Sequence, residues 1–204
     1  LTVRRGRKEV LTEWDLKVNN GEVVVLTDEN GCGKSTVIEA TAGLLNLEKG
    51  SSTIQNQIIR DYQGRRGRTS FGLCLQDDCV MGDELVGERL ADVAQVEFDV
   101  KSLLAEWNLD HRINDKIAFL SGGQRRKIAV LSGILPAMIS EEPVAILLDE
   151  PDSGLDDLSV DKLVENLLNL AAGGHGILIA SHNKKISAVA NRVITFPFFE
   201  KKQS

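Results

Sequence analysis

A glycine-rich loop set between a buried strand and a helix constrains this chain more than any other feature. Val23, Val24, Val25 and Leu26 form an unbroken apolar run, the loop Asn30-Gly31-Cys32-Gly33-Lys34-Ser35-Thr36 follows, and helix-forming residues with apolar spacing occupy 36–45. A short continuous apolar run suits a strand covered on both faces, as in a parallel sheet. Glycines let backbone N–H groups curl around an anion, and the helix N-terminus behind them adds a fixed positive field. In a loop of this Walker A spacing, Lys34 binds β- and γ-phosphates, Ser35 ligates Mg2+ and Thr36 stands by the α-phosphate. One position departs from the pattern: Asp28 occupies the place of its first glycine, with Glu29 beside it. Two carboxylates there repel a triphosphate unless they point away, although aspartate tolerates positive φ better than most residues.

The rest of the chain repeats the strand-then-helix order. Residues 10–18 alternate apolar and polar up to the turn Asn19-Asn20-Gly21, which reads as a hairpin entering the strand at 23–26. The polar stretch 50–70, with Arg65, Arg66 and Arg68 among glycines, reads as exposed turns with a solvated basic surface. A strand is expected over 71–75, then helical spacing over 83–119 marked by Leu85, Leu90, Val93, Val96, Leu103, Leu104 and Trp107. Beyond it come a helix from Gly122 that ends near Pro136, a strand over 144–148, a helix over 159–172 stopped by Gly173-Gly174, and strands over 177–180 and 193–199. This order predicts an α/β fold: a mostly parallel sheet flanked by helices, an N-terminal antiparallel β part and a small inserted helical lobe. The 204 residues suit one domain, with 1–82 and 120–204 as its core and 83–119 as a helical subdomain.

Two more segments carry chemistry. Val144-Ala145-Ile146-Leu147-Leu148-Asp149-Glu150-Pro151 is an apolar strand that delivers two acids to the edge of a sheet, the Walker B arrangement. Asp149 there holds Mg2+ and Glu150 polarises the attacking water as general base. Leu120-Ser121-Gly122-Gly123-Gln124 places a hydroxyl and two glycines at a helix start, where an anion meets bare amides; taken alone, it also reads as a capped helix.

With Lys34, Asp149, Glu150 and the run Leu120-Ser121-Gly122-Gly123-Gln124 together, the chain resembles the nucleotide-binding subunit of ABC transporters, a P-loop NTPase cassette. The resemblance covers almost the whole chain and assigns further roles. Gln76 resembles the Q-loop glutamine that touches Mg2+ and water, the segment 152–156 with Asp156 resembles the D-loop, and His182 resembles the switch histidine at the γ-phosphate. Arg5 falls where the family usually stacks an aromatic ring on adenine, and a guanidinium can stack there or remain a solvated charge. The resemblance implies ATP and Mg2+ as ligands, Mg-dependent ATP hydrolysis, and a homodimer or a pseudo-dimer with a second cassette, in which Ser121, Gly122, Gly123 and Gln124 cap the nucleotide of the opposite subunit. It also implies a transmembrane permease partner and a cytoplasmic place on the inner face of the membrane. The short interval 76–120 resembles compact exporter subunits such as the haem-export ATPase of cytochrome c biogenesis.

Composition narrows the classes. A net charge of −6 and a pI near 5.2 speak against a nucleic-acid partner. Cys32, Cys74 and Cys79 lack zinc-ligand spacing and are odd in number, so a disulfide framework is not expected and a reducing compartment is. The apolar runs fall short of the roughly 20 residues that cross a bilayer. No secretory leader is visible, and the end soon after the last strand suits a minimal cassette. His111 and His175 have no evident partners in the sequence. Two other readings stay open: a soluble ABC ATPase, for example in metal-cluster assembly, and a module that binds nucleotide without turning it over.

Overall fold

Residues 1–28, 31–76 and 82–195 are described by the computed structural model. Asn30, Glu29, Cys79 and the part of the last expected strand beyond Thr195 lie outside them. At the N-terminus, β1 (Val3–Arg5) and β2 (Lys8–Leu11) pair antiparallel around Gly6. The strand β3 (Val23–Thr27) leads to α1 (Lys34–Thr41), and β4 (Ser51–Ile54) with β5 (Gln57–Asp61) makes a second antiparallel pair. After β6 (Gly72–Cys74) the chain is helical through α2 (Val86–Ala94), α3 (Val100–Glu106) and two short 3-10 turns. Then follow α4 (Gly122–Met138), β7 (Ala145–Asp149), α5 (Asp157–Ala172), β8 (Gly176–Ala180), α6 (Lys184–Ala188) and β9 (Arg192–Thr195).

The central sheet runs β6-β7-β8-β3-β9 with every neighbouring pair parallel. Its apolar runs supply both faces at once, because successive side chains on a strand point to opposite sides. Val23, Val25, Ile146, Leu148, Ile177 and Ile179 pack with α4, α5 and the buried Leu90 of α2, Leu104 of α3 and Trp107 just past α3. Val24, Leu26, Leu147, Leu178 and Ala180 face α1 and the two antiparallel pairs. Both helical layers follow from the strands being apolar on every residue.

The structure corrects three expectations. Val10 and Leu11 do not enter a hairpin with the strand at 23–26: they belong to β2, whose partner is β1, while β3 is flanked by β8 and β9. The fully apolar β3 buries both faces, which the half-exposed stretch before it cannot match. The polar stretch 50–70 is more than exposed turns, since β4 and β5 lie in it with Ser52, Ile59, Arg60 and Asp61 buried. Its ion pair, Arg65 Nε to Asp61 Oδ2 at 2.5 Å, neutralises the buried carboxylate. As expected, α4 ends near Pro136, which sits in its last turn, where the Ile139 N–H still donates to the Leu135 carbonyl at 3.2 Å. One hydrogen bond is forfeited there, a loss that the buried Ile134, Leu135 and Ala137 outweigh. In contrast, α1 stops earlier than expected, at Thr41, because Gly43 at φ 74 turns the chain out of the helix.

Candidate functional site

Four of the five parallel strands deliver their expected site residues just past their C-terminal ends, the usual binding edge of an open parallel sheet. The phosphate loop follows β3, Gln76 follows β6, Asp149 ends β7 with Glu150 next, and His182 follows β8. Gly31 at φ 81 and Gly33 at φ 119 occupy backbone conformations that side chains resist, so the loop can curl only with glycine at these places. Lys34, 5% exposed, donates from Nζ to the Asp28 carbonyl at 2.6 Å and lies 3.8 Å from Cys32 Sγ. Asp28 itself is held at φ 153, strained for a residue with a side chain. Ser35 and Thr36 follow in the first turn of α1, Thr36 buried and Ser35 half-buried.

Across from the loop, Asp149 is buried at 2% exposure. Burial pushes its carboxyl up to about 6, aided by the nearby charges of Glu150 and Glu39 and opposed by the Ser35 hydroxyl and Arg126. Its Oδ1 is buried without a hydrogen-bond partner. A desolvated carboxylate oxygen beside a serine hydroxyl and two further acids is a place that favours a hard divalent cation. Among the described residues no three His, Cys, Asp or Glu side chains gather as a metal cage.

Glu150 leaves β7 in a left-handed conformation, φ 46, with its N–H donating to the Ala180 carbonyl at 2.8 Å. The turn carries its carboxylate to two expected neighbours. Gln76 Nε2 donates to Oε2 at 3.3 Å, and His182 Nε2 stands 4.0 Å from Oε1. His182 is positioned through Ser181, whose hydroxyl donates to Asp152 at 2.7 Å and whose N–H donates to the Leu26 carbonyl at 3.1 Å. Glu150, Gln76 and His182 therefore form one group, joined to the phosphate loop through Asp149 and Ser35.

The signature segment closes on itself. Ser121 Oγ accepts the Gln124 N–H at 3.3 Å and Gln124 Oε1 accepts the Ser121 N–H at 3.0 Å, a capping box that starts α4. Gly123 lies so near the carbonyl of Gly154 that an added Cβ would stand 3.0 Å from it. Asp156 caps α5 by accepting from Ser159 and pairs with Lys127 of α4 at 3.5 Å. Ser121, Gly122, Gly123 and Gln124 thus sit against the segment 152–156 rather than within the Glu150 group. Arg5 is engaged on α1, its Nε donating to Thr36 Oγ1 at 3.0 Å and its Nη2 pairing with Glu39 at 2.5 Å. It stands beside the residue expected at the α-phosphate.

Sequence reasoning missed Arg126. The side chain is 4% exposed and spans the ends of two strands: Nη1 donates to the carbonyls of Leu75 at 2.7 Å and Gln76 at 3.2 Å, Nη2 to those of Asp149 at 2.7 Å and Glu150 at 2.6 Å. A signal was available, since Arg126 shares the stripe of Val130, Gly133, Ile134 and Ala137, all buried on α4, and a charge on such a stripe requires partners. His175, which showed no partner in the sequence, accepts the Val144 N–H on Nδ1 at 3.0 Å, and burial holds its imidazole below the usual histidine range.

Comparison with known proteins finds relatives over most of the chain. The family model described as ABC transporter matches residues 11–153. The glutamate/aspartate import ATP-binding protein GltL of Escherichia coli is 29% identical over 201 residues, 93% of this chain and 81% of that protein. A relative from Streptomyces avermitilis is 33% identical over 200 residues, 95% of this chain but 35% of the relative, so the chain spans about a third of that protein's length. In fold, a dimeric structure of MJ0796, a bacterial ABC transporter cassette, superposes with a TM-score of 0.76 at 21% identity, over 95% of this chain and 90% of that one.

Proposed function

The chain belongs to the ABC transporter family, and we propose that it is an ATP-hydrolysing subunit that works as a head-to-tail pair to drive a separate transmembrane permease. The observation that carries this reading is the convergence of Gln76 and His182 on Glu150, at 3.3 and 4.0 Å, beside a buried Asp149 that lacks a partner on Oδ1. A site built only to hold nucleotide has no use for a carboxylate so placed.

Lys34 exchanges the Asp28 carbonyl for the β- and γ-phosphates of ATP, and the loop amides of Gly31, Cys32 and Gly33 take the remaining phosphate oxygens. Asn30 belongs to the same loop. Ser35 and Asp149, with Gln76, would hold Mg2+, which would supply charge neutralisation at the phosphates. Gln76 and Glu150 orient a water in line with the γ-phosphorus. Glu150 takes a proton from that water as its oxygen bonds to phosphorus and the bond to ADP breaks. His182 steadies the departing phosphoryl oxygens. Thr36 and Arg5 lie toward the α-phosphate and base.

Ser121, Gly122, Gly123 and Gln124 cap the nucleotide held by a second copy or a second cassette, with Asp156 at the same contact. The GltL relative is named for import, so relatives do not single out haem export, and the cargo is set by the permease. The helical part 83–119 acts as a subdomain that passes closure to the permease, with the pair bound peripherally on the cytoplasmic face. Among the described residues no helix is long and apolar enough to cross a membrane. Sedimentation of the Glu150→Gln variant tests the reading: a dimer that forms with Mg·ATP and dissolves on its removal is expected, and a monomer under both conditions contradicts it.

A further inference from the structure

Arg126 performs an unassigned task at the junction of α4, β6 and β7. The β6–β7 ladder ends at the pair Cys74↔Leu148. Beyond that pair no β6–β7 register continues among the described residues, and the carbonyls of Leu75, Gln76, Asp149 and Glu150 turn to one common place. The guanidinium fills that place, with donors at 2.7, 3.2, 2.7 and 2.6 Å from the four oxygens. Its planar fork of five N–H groups lets one side chain serve two backbone segments at once.

The consequence concerns Glu150. Its φ of 46 is a conformation a glutamate does not hold unaided, so the residue must be fixed at both ends. The Ala180 carbonyl fixes its N–H and Arg126 fixes its C=O. Released from Arg126, the peptide can relax toward negative φ, which swings the carboxylate away from Gln76 and His182. The same guanidinium holds the Gln76 carbonyl, so one side chain sets the backbone beneath both groups that orient the water.

We infer that Arg126 is a positioning residue for the hydrolytic step: it locks the left-handed turn of Glu150 and the backbone of Gln76 together and ties both to the signature helix. The inference rests on the proposed ATPase reading. It predicts a loss of turnover without a matching loss of nucleotide affinity, because Lys34 and its loop stand between β3 and α1, whereas the four carbonyls that Arg126 holds lie past the ends of β6 and β7.

The test compares Arg126→Lys and Arg126→Gln with Arg60→Lys, which removes another buried guanidinium, on β5 and outside the site. ATP hydrolysis, ATP affinity by calorimetry and backbone hydrogen exchange are measured on each. Turnover should fall on the order of 10- to 100-fold in Arg126→Gln, the effect of displacing a catalytic group by about an ångström, and less in Arg126→Lys. ATP affinity should stay within about threefold of the parent. Exchange at the amides over 145–152 should speed up in both Arg126 variants and stay unchanged in Arg60→Lys. Parent-like turnover in Arg126→Gln overturns the inference, as does a fall of turnover and affinity by one common factor. Should the parent itself not hydrolyse ATP, the ATPase reading fails, and the exchange over 145–152 still decides whether Arg126 fixes the Glu150 turn.

Discussion

Gln76 and Glu150, 74 residues apart in sequence, meet side chain to side chain, Nε2 of the amide donating to Oε2 of the carboxylate at 3.3 Å. Two parallel neighbours, β6 and β7, end at one level, and residues just beyond the sheet edge can share a water only because of that register. Glu150→Gln should lower single-turnover hydrolysis by about 10²- to 10⁴-fold, the usual worth of a general base. Gln76→Ala should lower it by roughly tenfold, and the double variant should be no slower than Glu150→Gln, because residues acting on one water are not additive.

Asp28→Gly relieves backbone strain at φ 153 and removes a carboxylate from the phosphate loop. Relief of such a conformation is worth about 1 kcal/mol or more, a rise in Tm of roughly 2–4 °C for a chain of this size. ATP should also bind more tightly, since Lys34 keeps its carbonyl partner at residue 28 while a negative charge is lost. Calorimetry and thermal unfolding check both. An unchanged Tm with weaker binding would mean that the Asp28 side chain supports the loop.

Gly72→Ala probes the seam between α4 and β6. A Cβ at Gly72 would stand 2.1 Å from the Gly133 carbonyl oxygen, and one at Gly133 would stand 2.9 Å from Cys74 Cβ. Backbone cannot yield as a flexible side chain does, so α4 must lift off the sheet. The cost should be at least about 2–3 kcal/mol in urea unfolding. Turnover should fall as well, because α4 carries Arg126 and the signature segment.

The sheet was legible in the sequence wherever a strand carries an unbroken apolar run, since only burial on both faces gives such a run: the stretches 23–26, 145–148 and 176–180 are of this kind. The antiparallel β4 and β5 were not, because one exposes polar residues on alternate positions and the other buries Arg60 and Asp61, whose pairing with partners such as Arg65 is invisible along the chain. Lys34, Asp149 and Glu150 were marked by the spacing of their motifs, and Gln76 and His182 by resemblance to the family. Arg126 was not, because its acceptors are backbone carbonyls at four positions far from it in sequence. A hydrogen bond to a main-chain atom leaves no mark on residue type.

The measurement that bears most directly on the account is Mg2+-dependent ATP hydrolysis by the chain, followed against protein concentration beside Lys34→Ala and Glu150→Gln. A nucleotide capped by the signature segment of a second copy predicts a rate that rises more steeply than linearly with concentration and vanishes in both variants. Hydrolysis strictly proportional to concentration, or undiminished in Glu150→Gln, would contradict it.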